Sequence, residues 1–345
     1  MNVRTIPTMQ SVADAAGVAV STVSRVLNGG SASARARQKV EEAIARLGYA
    51  PSATARNLKL GRSGIIGMAG ASSTAPWFTA LLGGMERVLS RHGASLAIAS
   101  LVREDEYDSS AVQAWIQARR VDALALVRPG KRERPLVNAA RRAALPVAFV
   151  VPDLEVDWGL VVKANNLQGG RLAAEHLLDL GHREIAFFGG PADSVDTRER
   201  LAGLRAGLRA AGVRLPDSRV RFGRDYATEQ GAEAAKLWAS RPALRRATAV
   251  VLGNDAMALG FLREVRSQGL SVPEDVSVVG FDGIVEGALS VPSLTTVAQP
   301  IPTMGADVAT FLLDGSLQIS APAVHREYDL ELLCRESTQP PRTRP

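Results

Sequence analysis

The chain has 345 residues, which is enough for two or three domains and a substantial core. Its formal charge of +6 is unevenly placed, because residues 1–63 carry nine lysines and arginines against three acids. The remaining residues are neutral overall, with 32 basic and 32 acidic side chains. A basic segment ahead of a neutral body indicates a polyanionic partner for that segment, although a solvated basic face without a partner has the same composition.

Composition also argues against several classes of protein. The single cysteine, Cys334, allows no intrachain disulfide. No stretch approaches eighteen apolar residues, and no apolar run typical of a secretion signal follows Arg4. We therefore expect no membrane span, no export and a cytoplasmic location.

Residues 8–28 are predicted to form two short helices that meet at Gly17. Apolar side chains recur at three- and four-residue spacing before this glycine, and Thr8 is a suitable N-cap. In the second helix Val23, Val26 and Leu27 form the inner face. The outer face carries hydroxyls, an amide and a guanidinium but no acid: Ser21, Thr22, Ser24, Arg25 and Asn28.

Such an outer face suits a polyanion, because hydroxyls and amides donate to phosphate and an arginine can form a bidentate contact with guanine. Paired amphipathic helices joined at a glycine also occur in many all-α domains. The spacing alone leaves both interpretations open.

A third helix is predicted to begin after Ser33 and to stop at Gly48. Four basic residues decorate its sides: Arg35, Arg37, Lys39 and Arg46. Residues 52–62, SATARNLKLGR, have a weak helical pattern and three further basic residues, so we predict a linker that can become helical and touch phosphate. Its Leu58 is either a packing residue or a minor-groove wedge.

From Gly64 onward, apolar strands alternate with helices. Strands are predicted at residues 64–72, 94–100, 121–127, 145–151, 159–165, 183–190, 219–223, 248–253 and 276–282, and helices at 76–92, 167–180, 228–240 and 255–268. Buried parallel strands have continuous apolar runs of this kind, which predicts an α/β body of two doubly wound parallel-sheet halves. Ligands usually bind in the cleft at the carboxyl ends of such strands.

Polar side chains follow several of these strands. Asn254, Asp282 and Arg200 together could hold hydroxyls or an anionic group, with Tyr226 or Trp77 stacking on an apolar face. Taken singly, each more often serves as a helix cap or a salt-bridge partner, and Asp255 has the position of a cap. The four histidines lack a neighbouring ligand pair, and no nucleophile, phosphate-loop or dinucleotide motif stands at a strand-to-helix turn. We therefore predict no metal, no cofactor and no enzymatic activity.

The series of motifs along the chain closely resembles the lactose-repressor and galactose-repressor family of bacterial transcription regulators. It runs, in order, through STVSRVLNG, LGYAPSATARNL, GGRLAAEHLLDLGHREIAFFGG, RLAGLRAGL, GNDAMALG, VPEDVSVVGFD, SLTTVAQP and CREST. The resemblance covers nearly the whole chain. It implies a homodimer or tetramer with a helix-turn-helix headpiece that reads the major groove of an operator half-site, and a body like that of periplasmic binding proteins.

Carried over residue by residue, the resemblance implies contacts with DNA bases and with the DNA backbone. The positions that match base contacts are Val20, Ser21, Arg25 and the hinge leucine Leu58, which would wedge into the central minor-groove step. The positions that match phosphate contacts or support of the headpiece are Thr8, Thr22, Ser24, Asn28, Arg56 and Lys59, with Ala55 beside the hinge leucine.

The resemblance also implies effector-binding residues in the body: Trp77, Phe78, Arg200, Tyr226, Asn254 and Asp282. Four positions depart from the family pattern. Ala19 and Ala36 replace hydroxyl residues that contact the DNA backbone, a loss that nearby basic side chains can offset. Val151 and Asn165 replace acidic residues near the ligand, which leaves the identity of the effector open.

The expected domains are a headpiece at 1–51, a hinge at 52–63, an N-subdomain at 64–164 plus about 293–322, a C-subdomain at 165–292 plus about 323–338, and a flexible tail at 339–345.

We predict a dimeric repressor of a near-palindromic operator in the bacterial cytoplasm, associated with the nucleoid when bound. A sugar or related metabolite in the cleft would change how the two halves close and so shift the paired hinges between helical and disordered forms. The tail lacks heptad repeats, which favours a dimer over a tetramer. The alternative is a two-lobed sugar-binding protein without DNA regulation.

Overall fold

The computed structural model describes residues 7–49, 61–70, 75–103, 106–314 and 321–342. The chain divides into two compact units, Met1–Gly64 and Ile65–Pro345, called the headpiece and the body below. Among the described residues, no helix has the length and apolarity required to span a membrane.

The headpiece contains helices α1 Met9–Ala16, α2 Val20–Leu27 and α3 Ala34–Leu47. Thr8 caps α1 in a reciprocal arrangement: its hydroxyl accepts from the Ser11 backbone N–H, and the Ser11 hydroxyl accepts from the Thr8 N–H, both at 3.2 Å. Left-handed glycines follow α1 and α3, with φ of 65° at Gly17 and 61° at Gly48. The predicted start and stop signals of these two helices are confirmed.

An apolar core joins the three helices of the headpiece. Its buried members come from all three: Val12, Ala13, Ala16, Val23, Val26, Val40 and Ala43. These positions are the inner faces that the helical spacing predicted. Because helices of eight residues are marginal alone, this shared burial rather than intrinsic propensity holds α1 and α2 in place.

The body contains a series of short strands and longer helices. The strands are β1 Ile65–Gly70, β2 Ser95–Ser100, β3 Val102–Arg103, β4 Glu106–Tyr107, β5 Ala123–Val127, β6 Val147–Val150, β7 Leu160–Ala164, β8 Ile185–Gly189, β9 Val220–Phe222, β10 Ala249–Leu252, β11 Ser277–Asp282, β12 Thr295–Ala298, β13 Val324–Tyr328 and β14 Glu331–Leu333. The helices are α4 Pro76–Arg91, α5 Ser110–Gln117, α6 Arg134–Arg142, α7 Asn166–Asp179, α8 Val195–Ala210, α9 Thr228–Ser240, α10 Pro242–Arg245, α11 Asp255–Ser267, α12 Val285–Leu289 and α13 Ile301–Asp314.

Two six-stranded sheets define two lobes of the body. The first sheet has the order β13-β7-β6-β5-β1-β2 and is parallel throughout. The second has the order β14-β12-β11-β10-β8-β9 and is parallel except for β14. Apolar cores cover both faces of each sheet, with α4 and α13 on one face of the first sheet and α5 and α6 on the other. In the second lobe α7 and α8 cover one face and α9 and α11 the other. This is the predicted doubly wound architecture.

Two strands near the C-terminus lie in the opposite lobes from those that the predicted domain boundaries assigned to them. The prediction placed residues 293–322 in the first lobe and 323–338 in the second. Instead β12 pairs with β11 in the second sheet, and β13 pairs with β7 in the first. Only α13, between them, lies in the first lobe as predicted. The sheet that each strand joins is settled by long-range pairing, which neither TTVA in β12 nor the polar VHREY in β13 specifies.

The predicted flexible tail also begins too early. The backbone of Gln339 is held in the second lobe, where its carbonyl accepts from His182 Nε2 at 2.9 Å and from the Ser277 hydroxyl at 3.1 Å. The Gln339 N–H in turn donates to the Ser277 hydroxyl at 3.1 Å. His182, which is 1 % exposed, thus fastens the C-terminal segment to the sheet.

Close backbone packing positions α8, the helix that carries most of the second lobe's cleft residues. A Cβ atom on Gly203 would overlap the carbonyl oxygen of Leu167 in α7, and one on Gly170 would overlap the carbonyl oxygen of Arg200. These two glycines let α7 and α8 approach with their backbones in contact. The first turns of both helices are thereby brought together at the carboxyl edge of the second sheet.

Candidate functional site

The outer face of α2 presents the predicted base-reading residues to solvent. Ser21 and Arg25 are exposed and Val20 is half-buried. Among the residues that the structure describes, the Arg25 side chain forms one hydrogen bond, from Nε to the Ser21 carbonyl at 3.3 Å. Its terminal guanidinium nitrogens therefore remain available for a bidentate contact.

The residues predicted to contact the DNA backbone surround this face. Thr22 and Ser24 are half-buried, and Asn28 caps the end of α2 by donating from Nδ2 to the Ser24 carbonyl at 2.8 Å. The start of α2 has no side-chain cap, because Ala19 stands at the N-cap position. Its first N–H groups are thus unoccupied by a side chain, and such groups bind anions.

Basic residues of α3 divide into two groups. Arg37 donates to the Gly30 carbonyl at 3.1 Å, and Arg46 donates to the Ala15 carbonyl at 3.2 Å, so both brace the helix connections. Arg35 and Lys39 are exposed. The predicted compensation for Ala19 and Ala36 thus falls mainly to Arg35 and Lys39. The predicted hinge contacts Ala55, Arg56, Leu58 and Lys59 lie outside the described residues.

A second candidate site lies in the body, at the carboxyl ends of the strands of both sheets. A cleft of about 570 Å³ opens between the lobes. Arg128 and Val151 line it from the first lobe, directly after β5 and β6, and Ser194 and Asp196 line it from the second. This is the edge at which doubly wound sheets bind ligands.

Three residues at these strand ends have the left-handed or otherwise positive backbone conformation that side-chain-bearing residues rarely adopt. The φ angles are 53° at Arg128, 51° at Val151 and 122° at Asp282. Each such residue costs about 1–3 kcal/mol, and such residues cluster where a side chain must be aimed at a ligand. Arg128 and Val151 line the cleft, and Asp282 ends β11 in the other sheet, which supports a binding role for the carboxyl edges of the two sheets.

Arg200 is the centre of a buried network in the second lobe. Its Nε donates to Asn166 Oδ1 at 2.9 Å, and one terminal nitrogen donates to the Gly253 carbonyl at 2.5 Å. The other terminal nitrogen lies 3.6 Å from Asp282 Oδ1, and the guanidinium stacks 3.7 Å from the centre of the Phe281 ring. The predicted convergence of Arg200 and Asp282 is therefore present, although protein atoms take most of the donors of Arg200.

The environment of Asp282 favours its neutral form. Burial raises the pKa of this carboxyl to about 7, with Arg200 opposing the rise and the nearby Asp255 adding to it. Gln299 Nε2 donates to Asp282 Oδ1 at 2.7 Å. A carboxyl group in this state can donate a hydrogen bond to a ligand as well as accept one.

The residue that caps α11 is Asn254 and not Asp255, which has the position of a cap in the sequence. Asn254 caps α11, because its Oδ1 accepts from the Met257 N–H at 2.9 Å. Asp255 is fully buried and accepts from the N–H groups of Gly283 and Ile284 and from the Thr296 hydroxyl. It thus holds the turn that follows β11. Within the described part of the chain, the Asn254 Nδ2 hydrogens donate to no protein atom, so they can donate to a ligand.

The predicted aromatic residues lie in different surroundings. The Tyr226 hydroxyl hydrogen-bonds with Ser194 at 3.0 Å and with Thr197 at 2.7 Å, and the Arg128 guanidinium lies 5.0 Å from the centre of its ring. Phe78 is 3 % exposed and belongs to the core of the first lobe. Trp77 is half-buried and packs against the same core. Only Trp77 of this pair presents substantial surface.

Several cleft residues were missed by sequence reasoning. Arg128 donates across the cleft to Asp196 and to the Ser194 hydroxyl, and Asn166 Nδ2 donates to Asp196 Oδ1 at 3.0 Å. Burial alone would raise the pKa of Asp196, but Arg128 and Arg200 hold it below its ordinary value. Arg128 could have been found, since it directly follows an apolar strand, as Asn254 does. Asp196 lies four residues before Arg200 and therefore on the same helix face.

No group of three or more metal-ligating side chains occurs within the residues that the structure describes. Asn165, one of the departures noted above, caps α7 by accepting from the Gln168 N–H at 3.0 Å.

Comparison with known proteins agrees with this two-part architecture. The profile of the lacI family of bacterial regulatory proteins matches residues 8–52, and that of a periplasmic binding protein-like domain matches residues 174–338. The ribose operon repressor of Escherichia coli strain K12 is 36 % identical over 305 residues, covering 86 % of this chain and 89 % of that protein. The HTH-type transcriptional regulator CelR of Thermobifida fusca is 32 % identical over 351 residues, covering 98 % of this chain and all of that one.

Solved structures extend the likeness to the fold. A lac repressor dimer bound to operator and the anti-inducer ONPF has a TM-score of 0.80 at 28 % identity, covering 97 % of this chain and 100 % of that one. A CelR–cellobiose complex has a TM-score of 0.69 at 30 % identity, covering 96 % and 99 %. The resemblance that the motifs predicted is confirmed, and so is the fold class. The chain belongs to the lacI family of bacterial regulatory proteins and is a DNA-binding transcription regulator.

Proposed function

We propose that this regulator is a repressor that binds a near-palindromic operator as a homodimer, and that a sugar or related metabolite in the cleft alters its affinity. The observation that carries the proposal is the combination of an acid-free recognition face on α2 with a polar cleft between two lobes. A regulator needs both parts, whereas the alternative, a sugar-binding protein without DNA regulation, needs only the cleft.

The recognition face supports base contacts by Val20, Ser21 and Arg25. Arg25 projects from the exposed side of a helix whose inner side packs on α1 and α3. A guanidinium held on a rigid helix can fork onto guanine, and a half-buried valine can pack against a thymine methyl group. Thr22, Ser24 and Asn28 belong to the same helix or its C-cap and would then fix the register through phosphate contacts, a role that we also propose for Thr8 at the start of α1.

The cleft supports a hydroxyl-bearing ligand. Asn254 has amide hydrogens available for a ligand, while Asp282 and Arg200 bring a carboxyl and a guanidinium together in the second lobe. Tyr226 and Trp77 offer aromatic surface, and sugar rings have apolar faces that stack on such side chains. The names of two similar proteins include a sugar: the ribose operon repressor and the CelR–cellobiose complex. Both agree with a carbohydrate ligand for this chain.

An exposed apolar corner of the second lobe supports dimerisation. Val285, Leu289 and Val291 are 71 %, 76 % and 79 % exposed and follow one another along α12 and the next turn. Exposed apolar side chains that cluster in this way mark interaction sites. A two-fold axis through this corner would pair two headpieces, which explains a palindromic operator. We also propose a cytoplasmic location with association to the nucleoid, since the operator DNA that the regulator would bind lies there.

Operator selection followed by footprinting tests the proposal. Random duplex DNA is enriched with the full-length protein, and protection of the selected site is then measured with a panel of sugars and metabolites. We expect a two-fold symmetric footprint whose strength changes with one compound. The alternative function predicts a compound that binds the protein while no sequence is enriched.

A further inference from the structure

Two ion pairs cross the cleft in opposite directions. Arg128 of the first lobe binds Asp196 of the second, and it also donates to the Ser194 hydroxyl at 3.1 Å. Asp153 of the first lobe lies 3.7 Å from Arg198 of the second. Each lobe thus contributes one cation and one anion. The two residues of the second lobe are separated by a single position in the first turn of α8.

The two pairs differ in the burial of their second-lobe partners, since the first-lobe partners Arg128 and Asp153 are 38 % and 44 % exposed. The Asp196 side chain is 3 % exposed, and Arg128 holds its pKa below the ordinary value although burial acts in the opposite direction. Separating the lobes would leave this carboxylate with Asn166 and Arg200 as its remaining partners. Arg198 and Asp153 are about half exposed, so water and salt screen their attraction. The Arg128–Asp196 pair, called the inner pair below, should contribute most to holding the lobes together. The Asp153–Arg198 pair, called the outer pair, should contribute less.

We infer that these crossed ion pairs form a latch that holds the cleft closed before any effector binds and that selects an uncharged, hydroxyl-bearing effector. The latch residues are Arg128, Asp153, Asp196 and Arg198. In a closed cleft whose charges already pair with one another, the effector must enter by replacing the inner pair.

The chemistry of replacement sets the ligand class. A hydroxyl group can accept from Arg128 and donate to Asp196 at the same time. An anionic group would satisfy Arg128 but would lie beside the Asp196 carboxylate, and a cationic group would meet the reverse problem. The cleft lining as a whole is balanced, with four cations and four anions: Arg128, Lys131, Arg132, Arg198, Glu133, Asp153, Asp193 and Asp196. This ligand class rests on the proposed function of the cleft.

The latch itself is tested without any ligand. Spin labels are attached to cysteines introduced by Arg134→Cys in the first lobe and Arg224→Cys in the second, in a Cys334→Ser background. Pulsed dipolar spectroscopy then measures the distance between the two labels. Both positions are exposed and lie outside the latch. Labelled full-length protein is mixed with an excess of unlabelled protein, so that each dimer carries one labelled chain. We expect one narrow interlobe distance distribution in the protein with an intact latch.

Neutralising the latch should lengthen and broaden that distribution. Arg128→Gln should have the larger effect and Arg198→Gln the smaller one, with the double variant exceeding both. The matched control is Arg205→Gln. Arg205 lies on α8, as Arg198 does, but its ion pair with Asp217 stays within the second lobe. This variant should leave the distribution unchanged.

Charge exchange provides a second test that does not depend on lost packing. Asp153→Arg and Arg198→Asp should each open the cleft, because like charges then face each other, and the two together should restore the short distance. A double variant Arg128→Gln/Arg198→Gln that melts cooperatively and keeps the original distribution would overturn the latch. So would an equal change in Arg205→Gln.

The ligand class is tested by thermal shift with neutral sugars and their phosphate esters and acid derivatives. We expect every compound that raises the melting temperature to be uncharged. A charged compound that binds, or a panel in which no neutral polyol binds, would overturn that part of the inference. Operator selection on the same protein separates the two conclusions, since failure to enrich a sequence counts against the proposed function and leaves the interlobe distances to decide the latch.

Discussion

Removing the Arg200 guanidinium would expose the energetic role of the buried network in the second lobe. Arg200→Ala leaves the Asp282 carboxyl without the cation 3.6 Å away and leaves Asn166 Oδ1 and the Gly253 carbonyl without a donor. Both side chains of the pair are 6 % exposed, so the carboxylate stays largely buried when its partner is removed. Breaking a buried pair by removing one partner costs about 3–5 kcal/mol, which is the loss of unfolding free energy we expect at pH 8, where the carboxyl is charged.

The loss should depend on pH because Asp282 titrates in the accessible range. Its pKa rises from 3.8 to about 7 on folding, so its contribution to stability is present below the lower value and disappears as pH rises through the upper one. At pH 8 the carboxylate is charged and relies on Arg200, whereas at pH 5 it is neutral. Arg200→Ala should therefore destabilise the protein more at pH 8 than at pH 5.

Urea unfolding of a double-mutant cycle measures this coupling. The set is Arg200→Ala, Asp282→Asn and their combination, each at pH 8 and pH 5, with Arg209→Ala as a control on the exposed side of the same helix. The control should stay within about 0.5 kcal/mol of the unmodified protein. The double variant should lose less than the sum of the single variants, since Asp282→Asn removes the stranded charge.

Additive losses, or an Arg200→Ala loss that is equal at both pH values, would refute the proposed electrostatic network. Operator binding by folded Arg200→Ala should persist while its response to the effector fails. A normal effector response would contradict the assignment of Arg200 to the ligand site.

Three further predictions concern the headpiece and hinge. Arg25→Ala should weaken operator binding by about 1–3 kcal/mol and relax one base position in each half-site, measured by competition with operator variants; a uniform loss across sequences would argue against a base contact. Thr8→Ala should lower the stability of the headpiece by about 1 kcal/mol in thermal unfolding, because the reciprocal cap is lost, and an unchanged melting curve would contradict this. Leu58→Ala should reduce specific binding far more than non-specific binding, and equal losses would remove the wedge role.

The predicted elements agree well with the observed ones where the signal is local. The spacing predicts α9 at 228–240 and α11 at 255–268, and the structure has Thr228–Ser240 and Asp255–Ser267. Glycine stops and hydroxyl caps are equally local, since each depends on one residue and the three or four beside it. The lack of a side-chain cap at Ala19 is also a local property, because the alanine side chain has no group that accepts a hydrogen bond.

Predictions that depended on long-range partners were less accurate. The sheet membership of β12 and β13 was wrong, because the partner strands lie far away in the chain and the polar sequence of β13, VHREY, carries no pattern that selects a sheet. The tail boundary at Gln339 was wrong because the hydrogen bonds that hold it come from His182 and Ser277, far away in the chain. The tail sequence itself has no feature that predicts those contacts.

The sequence by itself determined the family, the order of helices and strands, the basic headpiece and the recognition face of α2. All of these depend on residue type and short-range spacing. The tertiary structure alone decided which charges meet in the cleft. Arg128 and Asp196 are 68 positions apart and pair only because the carboxyl edge of one sheet faces the first turn of α8 in the other lobe. The strength of that pair comes from burial, which is a property of the assembled lobes and not of either residue.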